Sequence, residues 1–86
     1  MDGEMGRLRG EIDRVDTELV RLLNERLRLV DAIGAIKRER GLPVRDEARE
    51  AELLARIRAQ AGENAAEAEA VYQMILLISQ ERQRHT

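Results

Sequence analysis

Residues 7–38, RLRGEIDRVDTELVRLLNERLRLVDAIGAIKR, decide the fold. The stretch holds no proline, and its only glycines are Gly10 and Gly34. Apolar side chains recur at Leu8, Ile12, Val15, Leu19, Leu22, Leu29, Ile33 and Ile36, in steps of four and three that skip once, at Arg26. A heptad-like stripe sustained over four repeats is the signature of a long helix packed lengthwise on another helix. At 1.5 Å per residue this helix is about 48 Å long, more than a domain of this size is wide. It needs a partner along its length.

Beyond this rod the pattern breaks at Arg40, Gly41, Leu42 and Pro43, since glycine suits a helix C-terminus and proline disfavours helix in the residue before it. Asp46 then offers an N-cap, with Glu47 and Glu50 in the first turn of a second helix. Its apolar positions Leu53, Leu54 and Ile57 lead to a stop at Gly62. Asn64, with Glu67 three residues on, reads as another capped start. The third helix carries Val71, Met74, Ile75 and Ile78 and runs nearly to the C-terminus. The expectation is a single all-α domain over residues 1–86, one long N-terminal helix followed by two shorter ones.

Composition narrows the function. A chain of 86 residues buries a smaller fraction of its surface than a larger domain does, so its own core is marginal and needs outside support. Cysteine is absent and the one histidine is His85, which leaves neither disulfides nor a His/Cys metal site. Support is therefore expected from a second copy. Fifteen Lys+Arg against 17 Asp+Glu give a net charge of −2, which offers no basic surface for nucleic acid, and Tyr72 is the sole aromatic on which a base could stack. The first residues, MDGEMGRLRGE, lack the basic and apolar regions of a signal peptide. No apolar run approaches the roughly 20 residues of a membrane span. The expectation is a cytoplasmic protein that binds no nucleic acid and no membrane.

Candidate functional residues emerge against plainer readings. Arg26 stands where the stripe asks for an apolar side chain; it is either paired or snorkelling beside Glu25, or it is a ligand-binding cation. Lys37 lies almost three helical turns further, on nearly the same face and about 16 Å along. Alone it reads as a surface lysine favoured by the helix dipole; with Arg26 it converges on a small anion. Arg9 is separated from Arg26 by about 25 Å of helix rise. It is either a solvated arginine or reaches such a site from an antiparallel second chain. Arg49 and Glu50 follow the Asp46 cap, and the cap alone accounts for the acids. Tyr72, Ile75, Ser79 and Gln83 share a helical face that turns polar toward its end, as C-terminal turns commonly do.

Taken in order, LRGEIDRVDTELVRLLNER ending at Arg26, GAIK ending at Lys37, PVRDEARE ending at Glu50, and S-x-x-x-Q at Ser79 and Gln83 resemble the all-helical class of chorismate mutases, over residues 7–83. The resemblance implies an intertwined, domain-swapped homodimer of three-helix chains with two active sites, no metal and no cofactor. It implies that Arg26 and the partner's Arg9 hold the two carboxylates of chorismate, with Ser79 near one of them. Lys37 and Gln83 would be the catalytic donors to the ether oxygen of the breaking C–O bond. Glu50 and the backbone N–H of Asp46 would hold the ring hydroxyl, and Arg49 would orient that wall. The activity implied is the pericyclic rearrangement of chorismate to prephenate in phenylalanine and tyrosine biosynthesis. Isochorismate-pyruvate lyases and aminodeoxychorismate mutases share the fold; the intact Asp46-x-x-Arg49-Glu50 stretch is more similar to the mutase than to the lyase. Such mutases also occur fused or bound to the first enzyme of the shikimate pathway, and a chain ending at Thr86 is expected to meet such a partner in trans. The rival is a non-catalytic helical dimerisation or regulatory module, which accounts for the heptads but not for Arg26 in the stripe or for S-x-x-x-Q.

Overall fold

The computed structural model describes residues 3–85; Met1, Asp2 and Thr86, the ends of the expected domain, lie outside the described residues. The described chain is all-helical, in the order α1 (Gly3–Arg40), α2 (Glu47–Ala61), a 3-10 turn (Gly62–Asn64) and α3 (Ala65–Arg84). At 38 residues α1 is about 57 Å long. It sets the longest dimension of a molecule that measures 59 × 26 × 15 Å. The radius of gyration, 16.6 Å, exceeds the roughly 12 Å of a compact domain of this length.

The ends of α1 and α2 are written into the residues. Gly41 takes a positive φ of 65°, its N–H bonds the carbonyl of Arg38, and the Leu42 N–H reaches the carbonyl of Lys37 at 2.8 Å. This pair of bonds is a Schellman motif, in which glycine adopts the left-handed conformation cheaply. The Asp46 side chain accepts from the Arg49 N–H at 3.0 Å and caps α2 as the sequence reading expects. The second expected cap fails. Asn64 has φ −98° and ψ 22° and makes no side-chain capping bond. The chain instead winds through the 3-10 turn into α3, so the first α3 amide is met by the carbonyl of Gly62 and needs no side-chain acceptor.

Packing centres on α3, which lies against both α1 and α2. The buried apolar side chains are Val30, Leu53 and Ile57, and the buried polar one is Ser79. Arg82 on α3 clamps Asp31 on α1 through two bonds of 3.0 and 2.6 Å, and Arg58 on α2 pairs with Glu69 on α3. Hydrogen bonding from Arg82 holds the Asp31 carboxyl below the usual aspartate range.

The stripe of α1 is not the face that α3 covers. Val30 and Gly34 are buried, whereas Ile12, Leu19 and Leu29 remain more than half exposed, and every described residue before Arg26 is exposed. Successive helical residues turn by about 100°, so Val30 and Gly34 lie to one side of Arg26 and Leu22, Leu29 and Ile33 to the other. Arg26 and Lys37 therefore stand on the border between a face that packs inside the chain and a face that does not. A second uncovered apolar row, Val71, Met74 and Ile78, runs along α3. Among the described residues no helix is long and apolar enough to cross a membrane.

Candidate functional site

Seven of the eight candidate residues line one cavity of about 270 Å³: Arg26, Lys37, Asp46, Arg49, Glu50, Ser79 and Gln83. Three segments supply them, and the reason is geometric. The border position of Arg26 and Lys37 on α1 aims both toward the crevice beside α3, while Asp46, by capping α2, fixes where the first turn of α2 presents Glu50. The eighth residue, Arg9, lies on the exposed part of α1, outside this chain's cavity and about 25 Å of rise from Arg26.

Two cations of α1 line the cavity, each bonded to α3. Arg26 Nη1 donates to Ser79 Oγ at 2.8 Å, and that hydroxyl donates to the Ile75 carbonyl at 2.7 Å. Ser79 is thus an oriented hydroxyl, committed to a carbonyl and met by a guanidinium, with no base hydrogen-bonded to it that would make it a nucleophile. Lys37 Nζ donates to Gln83 Oε1 at 3.0 Å and to the Val44 carbonyl, which ties the turn between α1 and α2 to α3. Because the Gln83 oxygen accepts from Lys37, its amide nitrogen is the donor edge; it reaches the Val30 carbonyl at 3.3 Å.

Glu50 brings a carboxylate to the same cavity. Glu50, about one-sixth exposed, accepts from Gln80 Nε2 at 2.7 Å on one carboxylate oxygen and from Arg45 Nε at 3.4 Å on the other. The Glu50 amide donates to the Asp46 carbonyl at 3.0 Å. Arg49 turns its guanidinium to Glu52 at 2.9 Å on the surface, while its backbone N–H completes the Asp46 cap. The remaining walls are apolar, formed by Val30, Ile33, Val44, Leu53 and Leu76. A crevice with cationic and amide donors, a carboxylate acceptor and apolar sides suits a small ring bearing carboxylate and hydroxyl groups. Among the described residues no three His, Asp or Glu side chains gather as a metal site would.

Tyr72, drawn on one face with Ser79 and Gln83, does not line the cavity, whereas Gln80 and Arg45 belong to the site and were missed. The signal for Gln80 was present, since it sits one helical turn beyond Leu76 and about 60° from Gln83. Arg45 lies in the turn, where periodicity carries no information.

Comparison with known proteins agrees with this geometry. A family model described as chorismate mutase type II matches residues 8–84. The chain is 48% identical over 54 residues, 63% of its length, to the bifunctional chorismate mutase/prephenate dehydratase of Aquifex aeolicus. To the T-protein of Enterobacter agglomerans it is 44% identical over 61 residues, 71% of its length. The matched regions span 15% and 16% of those relatives, respectively. Among solved structures, a conserved hypothetical protein from Pyrococcus furiosus has a TM-score of 0.78 and 36% identity, over 94% of this chain and 96% of that one.

Proposed function

Because the chain belongs to the chorismate mutase type II family, we propose that it rearranges chorismate to prephenate in the crevice between α1, α2 and α3, as a step of aromatic amino acid biosynthesis. The observation that carries this reading is one cavity that gathers the donors Arg26, Lys37, Ser79 and Gln83 with the acceptor Glu50. The rearrangement breaks a C–O bond and forms a C–C bond in one concerted step, so it asks for no nucleophile and no proton transfer. It asks for a compact substrate conformer and for donors placed where negative charge grows on the ether oxygen.

Each residue has a task in that scheme. Arg26 pairs with one carboxylate, and the Ser79 hydroxyl beside it helps fix the guanidinium. Lys37 and the Gln83 amide, already in contact with each other, aim their donors at the ether oxygen. Glu50 accepts from the ring hydroxyl, with the backbone N–H of Asp46 donating to the same oxygen. Arg49 stabilises this wall through the cap it shares with Asp46. The second carboxylate is held by Arg9 of a second copy. Support for that copy comes from the uncovered stripes of α1 and α3 and from a core of three buried apolar side chains. Two such chains, intertwined with their α1 helices antiparallel, cover both stripes and bring each Arg9 toward the other's cavity.

The test is direct. Chorismate added to the purified chain should lose its absorbance at a rate proportional to enzyme, with prephenate as product. A folded chain at micromolar concentration that leaves chorismate unchanged overturns the proposal. Prephenate should form from chorismate while isochorismate is left intact, which separates the mutase from a pyruvate lyase.

A further inference from the structure

We infer that Gln80 is a positioning residue for the reaction, acting through Glu50; the inference rests on the mutase reading of the cavity. Glu50 is a glutamate in the first turn of α2, with a flexible side chain that left alone would sample several rotamers and reach for solvent. Two groups prevent this. Gln80 Nε2 spans from α3 to one carboxylate oxygen at 2.7 Å, and Arg45 Nε approaches the other at 3.4 Å. The first bond is short and comes from the element that also carries Ser79 and Gln83, so it ties the acceptor to the helix that holds those donors. The Arg45 bond is long, and its guanidinium is shared with Glu47 at 3.6 Å. Positioning therefore falls mainly to Gln80.

The place of the pair adds a second reason. Glu50, Leu76 and Gln80 line the substrate cavity and also a neighbouring one of about 440 Å³ that continues past Arg45, Leu54 and Leu77. The Gln80–Glu50 bond is thus part of a partition. Without it the carboxylate can swing into the second space, away from the ring hydroxyl. Glutamine suits the task because its amide stays neutral, donates to Glu50 throughout the working pH range and places no second charge near the substrate.

A hydroxyl held equally in ground and transition states contributes uniform binding, so its loss appears in KM more than in kcat. Gln80→Met keeps the length and removes the donor. It is expected to raise KM for chorismate roughly tenfold, with kcat changed less than about threefold and the melting temperature within a few degrees of wild type. In a Glu50→Gln background the same substitution should change kcat/KM less than about twofold, because its target is gone. Gln80→Glu places two carboxylates in contact, and one of them holds a proton more tightly than usual. That variant should approach wild-type kcat/KM at acid pH and lose it as pH rises and the shared proton leaves. Wild-type KM for Gln80→Met, or equal losses with and without Glu50, overturns the inference while leaving the mutase reading intact. A wild-type chain that does not consume chorismate overturns both.

Discussion

Arg26 and Ser79 are paired by a bond of 2.8 Å, and in the proposed function both stand at one carboxylate of the substrate. Removing the guanidinium by Arg26→Ala should lower kcat/KM at least about 100-fold, since a charge-assisted contact is lost where no water dipole is prearranged to replace it. Arg26→Lys should recover little, because an ammonium lacks the planar fork that meets a carboxylate and a hydroxyl together. Gln83→Ala should lower kcat at least tenfold, with a melting temperature close to wild type. A large fall in melting temperature instead would assign Gln83 to the packing of α3 on α1. Steady-state kinetics with thermal melts separates these outcomes. Arg26 was legible from sequence as a charge in an apolar row. Gln80 left a weaker signal, since its place one helical turn beyond Leu76 and beside the Gln83 face gains meaning only once the cavity is seen.

At the scale of the elements, the two helix ends flanking the turn are fixed by local chemistry, which is why they were readable. Asp46→Ala should cost about 1 kcal/mol through the lost cap and should also raise KM, since the same turn presents Glu50. The failed cap at Asn64 teaches the converse. Asparagine three residues before an acid satisfies the motif, but the preceding 3-10 turn leaves Asn64 at φ −98° and ψ 22°, away from the extended backbone of a capping residue. The α1–α3 clamp adds a pH response. Asp31 is held more acidic in the folded chain by its hydrogen bonds from Arg82. Its stabilisation is therefore complete above the ordinary aspartate range and is lost as pH falls through the depressed folded value. Wild type should melt above Asp31→Asn at pH 7, and the difference should shrink steadily as pH falls below the ordinary aspartate range. A gap that persists in acid would mean that the asparagine variant loses packing and not charge.

For the whole molecule, periodicity revealed the rod but not its two faces. The stripe from Leu8 to Ile36 read as one seam, while α3 covers the adjoining face around Val30 and Gly34. A hydrophobic repeat says that a face is buried somewhere; it does not say by which neighbour. In the proposed dimer the stripe is the contact between chains, and Leu19→Glu should abolish assembly, measured by sedimentation, along with most of the helical signal. Sharing of sites gives a sharper check. Mixed, refolded Arg9→Ala and Arg26→Ala chains should regain activity that neither shows alone, because one of the two sites in each heterodimer receives both arginines. No recovery in verified heterodimers would place Arg9 outside the chemistry.

The length of α1 left uncovered, residues 3–25, also bears on kinetics. A chain that completes its core only by meeting another folds with a molecularity of two, so refolding at low concentration should follow second-order kinetics, its half-time doubling when the chain is diluted twofold. In the proposed dimer, the helix that delivers an arginine to a neighbour would make the onset of activity a count of encounters between chains.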